Sequence, residues 1–122
     1  MSQPDITIRI RDLRLRTLIG FNPEEREKKQ DVVINLTVRY PMNAAILQDD
    51  VGSVLNYKTL TKQIIALVED HQFLLLERLS AEVLALCREH RQVTYAAVEI
   101  EKPHALRFAD SVSAALSWHA GQ

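Results

Sequence analysis

The stretch Val98-Glu99-Ile100-Glu101-Lys102-Pro103-His104-Ala105-Leu106-Arg107 decides how this chain reads. Val98, Ile100 and Lys102 share one parity and Glu99 and Glu101 the other, the two-residue period of a half-buried strand. Pro103 closes the strand, and a loop carrying His104 and Arg107 follows. The alternation therefore aims an ammonium group at the face that the apolar residues bury. Two readings fit. A strand-end lysine can snorkel along its apolar stem to water. If it instead stays buried, desolvation disfavours the charged form and lowers its pKa, which makes an amine a usable proton acceptor and donor near neutral pH.

Working outward, Val112, Ala114, Leu116 and Trp118 alternate with Ser111, Ser113, Ala115 and Ser117 and predict a last strand. Before the lysine strand, which is expected to start near Val93, two helices are predicted. Leu60, Ile64, Leu67 and Val68 recur at helical spacing from about Tyr57 to His71. Leu76, Leu79, Val83, Leu84, Leu86 and Cys87 do the same from about Leu75 to His90. Near the N-terminus Ile6, Ile8 and Ile10, then Leu13 and Leu15, alternate with Arg9, Arg11, Arg14 and Arg16; the parity changes across Arg11-Asp12, which predicts a bulge in one long strand. Gly20-Phe21-Asn22-Pro23 breaks that strand. The charged run from Glu24 to Gln30 connects it to a second, with Val32, Ile34, Leu36, Val38 and Tyr40 on one face and Pro41 at its end. Residues from Met42 to Asn56 carry no period and read as a long loop. The order strand, strand, helix, helix, strand, strand predicts one α+β domain over 1–122, an antiparallel four-stranded sheet with two helices on one face. Such a sheet has two edges and an uncovered outer face, so neighbouring copies are expected to extend it.

Composition narrows the function classes. The 122 residues are 47% hydrophobic and 25% charged, a globular balance with no apolar run long enough to span a bilayer. Fifteen basic and sixteen acidic residues give a net charge of -1, which offers no general attraction to nucleic acid or to an anionic membrane. Met1-Ser2-Gln3-Pro4-Asp5 lacks the basic start and apolar stretch of a secretory leader, so a cytoplasmic location is expected. The single Cys87 excludes an internal disulfide and a multi-cysteine zinc site. His71, His90, His104 and His119 show no paired ligand spacing, so no metal is expected. The three glycines are isolated, leaving no phosphate-loop or dinucleotide fingerprint.

Beside Lys102, three positions could carry chemistry. Glu77 falls in the first turn of the second helix, where a carboxylate opposes the helix dipole; it could equally bind, with two oxygens, a ligand edge presenting adjacent N–H donors. Tyr57, after Leu55-Asn56, can pack its ring and point its hydroxyl at water, or move a proton. Glu25 is one of several acids in its loop and by itself a surface charge.

These residues sit in a pattern. Ile19-Gly20 followed by Glu25 and Gln30, then Leu55-Asn56-Tyr57, Phe73-Leu74-Leu75-Leu76-Glu77-Arg78-Leu79 and Glu101-Lys102-Pro103, in this order, resemble the dihydroneopterin aldolase and dihydroneopterin triphosphate 2′-epimerase family. The resemblance runs from the first strand to Trp118. It implies a tunnelling fold, whose subunits close into a barrel-like tetramer or stack to an octamer with active sites between neighbours. It implies a small-molecule pterin substrate, no nucleic-acid or membrane partner, and no cofactor. Carried over, it gives Glu77 the pterin ring N–H and amino group, helped by backbone groups around Leu55, Asn56 and Leu76. Lys102 becomes the proton-transfer residue working through an ordered water, Tyr57 a partner from the adjacent subunit, and Glu25 the acid that orders the loop and that water. The implied chemistry is retro-aldol cleavage between C1′ and C2′, with the electron pair delocalised into the pterin's N5=C6 imine, so the ring serves as its own electron sink. Release of the aldehyde makes the reaction an aldolase; re-attack after the aldehyde turns over inverts C2′ and makes it an epimerase. Leu15-Arg16-Thr17, Asn56-Tyr57-Lys58-Thr59 and the segment from His104 to Ser113 resemble the epimerase branch. Arg107, His104 and Lys58 offer positive charge for a triphosphate. A pterin-binding protein without catalysis would keep Glu77 and have no need of Lys102.

Overall fold

The computed structural model describes residues 4–121; the Met1 to Gln3 part of the leader reading lies outside them. In chain order the elements are β1 (Asp5–Ile19), β2 (Gln30–Pro41), α1 (Tyr57–Glu69), β3 (Gln72–Phe73), α2 (Leu76–Glu89), β4 (Tyr95–Pro103) and β5 (Ser111–His119), with two short 3-10 turns at Ile46–Gln48 and Val51–Ser53 inside the long β2–α1 loop. The sheet order is β3-β1-β2-β4-β5. Four of these strands are antiparallel neighbours, as the alternation predicts. The expectation of a four-stranded, wholly antiparallel sheet is corrected: β3 adds a fifth strand, parallel to the end of β1 through Leu18 with Gln72 and Ile19 with Phe73. Two residues between helices are too few to show a period, which is why spacing could not reveal it. The first helix also stops at Glu69, short of His71.

Burial follows parity. Val32, Ile34, Leu36, Val38 and Tyr40 of β2 and Ala96, Val98 and Ile100 of β4 are buried on the helix-facing side. Leu60, Ile64 and Val68 of α1 and Leu79, Val83, Leu84 and Cys87 of α2 complete that core. Burial pushes the Cys87 thiol up to about 11, so it behaves as a small apolar side chain. The bulge lies where the parity changes: Ile10 pairs with Leu36 and Leu13 with Ile34, leaving Arg11 and Asp12 opposite Asn35 alone. Asp12 takes φ 55 there, and its amide donates to Asn35 Oδ1 at 2.9 Å. After the bulge the inward residues of β1 are Leu13, Leu15, Thr17 and Ile19. Thr17 is buried, and its hydroxyl donates to the Val68 carbonyl at 2.6 Å, satisfying an acceptor that the end of α1 leaves unpaired. No helix among the described residues is long and apolar enough to cross a membrane.

Candidate active site

Three inward positions at one end of the sheet are polar: Thr17 on β1, its register partner Gln30 on β2, and Lys102 on β4. Lys102 is the one charged residue among the buried side chains described, and it does not snorkel. Its side chain is 11% exposed, and Nζ lies 2.6 Å from Glu25 Oε2, whose side chain is 21% exposed. The loop between β1 and β2 brings Glu25 there. Glu25 and Arg26 donate their amides to the Asn22 carbonyl at 3.0 and 3.2 Å, and Lys28 donates to Glu24 at 3.2 Å, so the charged run folds as successive tight turns. The hydrogen bond from Lys102, more than burial opposes it, holds the Glu25 carboxyl below the usual carboxylate range; Gln30 and the Asn22 amide act in the same direction.

Two neighbours fix the carboxylate. Gln30 Nε2 donates to the Ile19 carbonyl at 2.6 Å and to Glu25 Oε2 at 3.2 Å. Gly20 has φ 126, and a Cβ built on it would overlap the Glu25 carboxyl group, so the acid occupies space that only glycine leaves open. Gly20 also donates its amide to the Phe73 carbonyl at 2.9 Å. That bond ties the acid's platform to β3, and four residues beyond Phe73 stands Glu77. Leu75 caps α2 with no side-chain hydrogen bond. The amides of Leu76, Glu77 and Arg78 therefore have no intrahelical acceptor, and only Leu79 closes back, on the Leu75 carbonyl at 3.2 Å. Glu77 is exposed in this first turn and, among the described residues, forms no ion pair, whereas Arg78 turns away to Glu82 at 2.9 Å. Free amides and an exposed carboxylate thus stand together at the start of α2, linked to the platform through β3.

Among the described residues, no hydrogen bond or ion pair joins the remaining sequence candidates to this cluster within one chain. Leu55 is buried, and the Asn56 side chain is occupied as the α1 cap, accepting from Lys58 and Thr59 at 3.1 Å each. Tyr57 is 52% exposed, and no described hydrogen bond joins its hydroxyl to Lys102 or Glu25. His104 follows Lys102 on the β4–β5 loop with φ 67. Arg107, on the same loop, places its guanidinium 5.5 Å from the ring centre of the exposed Phe108. No group of three or more His, Cys, Asp or Glu among the described residues could hold a metal ion. A concavity of about 450 Å³ opens elsewhere, on the outer sheet face between Arg9, Asn35, Thr37, Ala97, Glu99 and Ser117. It lies on the side of the sheet opposite the buried amine and holds none of the candidate side chains, so the chemistry argues against it as the reacting centre.

Gln30 and Gly20 enter the site as functional residues that the motif pattern alone does not reveal. The signal for Gln30 was available, since it shares the parity of Val32 and Ile34 just as Lys102 shares that of Val98 and Ile100.

Comparison with known proteins converges on the same architecture. The chain is 55% identical over 118 residues to the dihydroneopterin triphosphate 2′-epimerase of Escherichia coli (strain K12), covering 97% of this chain and 98% of that protein. It is 54% identical over 112 residues to the enzyme of the same name from Pseudomonas aeruginosa, covering 92% and 91%. The crystal structure of E. coli dihydroneopterin aldolase in complex with neopterin superposes with a TM-score of 0.86 at 25% identity, over 93% of this chain and 98% of that one. The family model described as dihydroneopterin aldolase matches residues 8–117, a span that contains the paired amine and carboxylate, their glycine platform and the uncapped helix; the chain belongs to the dihydroneopterin aldolase family.

Proposed function

We propose that the protein is a pterin epimerase that inverts C2′ of dihydroneopterin triphosphate, giving dihydromonapterin triphosphate by retro-aldol cleavage and re-addition. The observation that carries the chemistry is the buried ammonium of Lys102 held 2.6 Å from the Glu25 carboxylate. Such a pair keeps a proton donor and an acceptor at one point, which cleavage and re-addition both need. In this reading Glu77 and the unpaired amides at the start of α2 hold the flat heterocycle, a carboxylate being matched to adjacent N–H donors. Lys102 as the neutral amine, through a water ordered by Glu25, takes up the 2′-hydroxyl proton and becomes the ammonium; the C1′–C2′ bond breaks, and its electron pair enters the N5=C6 imine of the ring. The phosphorylated aldehyde turns over, the enamine re-attacks its other face, and the proton returns to the new alkoxide. His104 and Arg107, on the loop leaving Lys102, and Lys58, at the start of α1, are the cations offered to the triphosphate.

Tyr57 and the backbone around Leu55 and Asn56 enter this site from an adjacent copy, in a tunnelling-fold barrel of four or eight subunits. What supports that arrangement is an exposed tyrosine whose hydroxyl has no hydrogen bond among the described residues. The choice of inversion over release rests on likeness: 55% identity to the E. coli epimerase against 25% to the E. coli aldolase.

One assay tests the reading. The protein is incubated with dihydroneopterin triphosphate and, separately, with dihydroneopterin, and the pterins are identified after oxidation. Monapterin from the triphosphate is expected. Hydroxymethylpterin as the main product would make the protein an aldolase, the alternative that the matched family model favours. Unchanged neopterin with measurable binding would make it a non-catalytic pterin-binding protein.

A further inference from the structure

We infer that Gln30 is a positioning residue for the proton-transferring pair, holding the Glu25 carboxylate on the Lys102 amine without itself meeting the substrate. The inference rests on the reading of the Lys102 end of the sheet as the seat of the pterin chemistry. Gln30 is the first residue of β2, on its inward face, and its amide nitrogen spans two acceptors: the Ile19 carbonyl at 2.6 Å and Glu25 Oε2 at 3.2 Å. Lys102 donates to that same oxygen at 2.6 Å. Both strong donors therefore converge on Oε2, while Oε1 receives only a long contact from the Asn22 amide at 3.4 Å. The carboxylate is divided into an oxygen that is fixed and an oxygen that is free for a water or a substrate hydroxyl.

A glutamate needs such help because its terminal torsion is soft and roughly two-fold, so an unrestrained carboxylate exchanges its oxygens readily. A neutral amide suits the task. It donates at any working pH and adds no charge that would compete with the ammonium for the acid. The anchor is also rigid, since Ile19 is buried in the β1 strand and the next residue, Gly20, is bonded to Phe73 at 2.9 Å. Gln30 thereby refers the acid to the same backbone from which the start of α2, with Glu77, is hung.

The test is steady-state turnover of dihydroneopterin triphosphate by Gln30→Met and Gln30→Glu beside the wild type, as kcat and KM across pH. Methionine keeps the length and removes the donor. Its kcat is expected to fall about tenfold, the lower end of the effect of one hydrogen bond to a charged group felt in the transition state, with KM unchanged within about twofold. Its acidic limb moves to higher pH, because the Glu25 carboxyl loses a donor that favours its ionised form. Gln30→Glu, nearly isosteric and the control against a folding defect, faces one carboxylate with another and moves the same limb further, by about one pH unit. A residue that only packs would change stability and leave the limb in place. Wild-type kcat and an unmoved limb in both variants, or a loss confined to KM, overturn the proposal. A wild type that converts neither pterin overturns the underlying reading and the proposal together.

Discussion

Lys102 Nζ and Glu25 Oε2 meet at 2.6 Å across a separation of 77 residues. The amine comes from the inward face of β4 and the acid from a surface loop; Glu25 is the acceptor described for the amine, and the acid also receives Gln30 at 3.2 Å and the Asn22 amide at 3.4 Å. Charges taken this far from water persist when paired and hydrogen-bonded, so the pair is expected to act as one unit.

Lys102→Met should lower kcat by about 10²–10⁴-fold, the range for loss of a positioned proton donor and acceptor, and leave pterin affinity within a few-fold. Glu77→Gln should do the reverse, weakening affinity by about 10–100-fold through loss of a charge-assisted pair of hydrogen bonds. Binding followed by fluorescence and turnover followed by product analysis separate the two. Full turnover by Lys102→Met would remove the amine from the mechanism.

Acid should weaken the fold partly through Glu25. Its carboxyl is held below its ordinary value in the folded chain. The stability it contributes is therefore fully present above the unfolded value of about 4.3 and is lost as pH falls through the lower, folded value. Urea midpoints measured from pH 6 down to pH 3 should fall less steeply for Glu25→Gln than for the wild type. Parallel curves for the two proteins would contradict the pairing.

Gly20→Ala should damage both stability and turnover. Alanine at φ 126 is strained by about 1–3 kcal/mol, and its methyl group would displace the Glu25 carboxyl from Lys102. The expected sign is a destabilised protein whose residual folded fraction has a lowered kcat, read by urea unfolding and by turnover per folded molecule.

Thr17→Val keeps the shape and removes the hydroxyl that meets the Val68 carbonyl at 2.6 Å. A buried acceptor left without a donor costs about 1–3 kcal/mol. Chemical denaturation should report a loss in that range. A loss below about 0.5 kcal/mol would mean that the carbonyl has found another donor.

Much of this architecture was legible because each long element keeps a clean period. Ile34 and Ile100 are buried where their parity puts them, and the change at Arg11-Asp12 is a true bulge. Lys102 could be picked out for the same reason, as a polar residue in an apolar phase. Glu25 could not, since nothing about an acid in an acidic loop tells that the loop folds back onto a strand 77 residues away. β3 was hidden by its length, and with it the bond from Gly20 to Phe73 that hangs α2 from the end of β1. Thr17 and Gln30 were legible by the parity rule that found Lys102, had it been applied to every polar residue on an inward face.

The bulge at Arg11 and Asp12 has a further effect. β1 begins with its even-numbered side chains inward and finishes with its odd-numbered ones inward, so the half of the strand that builds scaffold and the half that borders the amine are half a repeat out of step. Deleting one residue at the bulge would leave a single residue opposite Asn35 and restore a uniform beat, with positions 17 and 19 keeping their partners and their inward face. The hydroxyl that caps α1 and the carbonyl that anchors Gln30 would stay where they are. A one-residue loss at the bulge is thus the length change that this strand can absorb, whereas the same loss between Leu13 and Thr17 would put the reacting end out of phase.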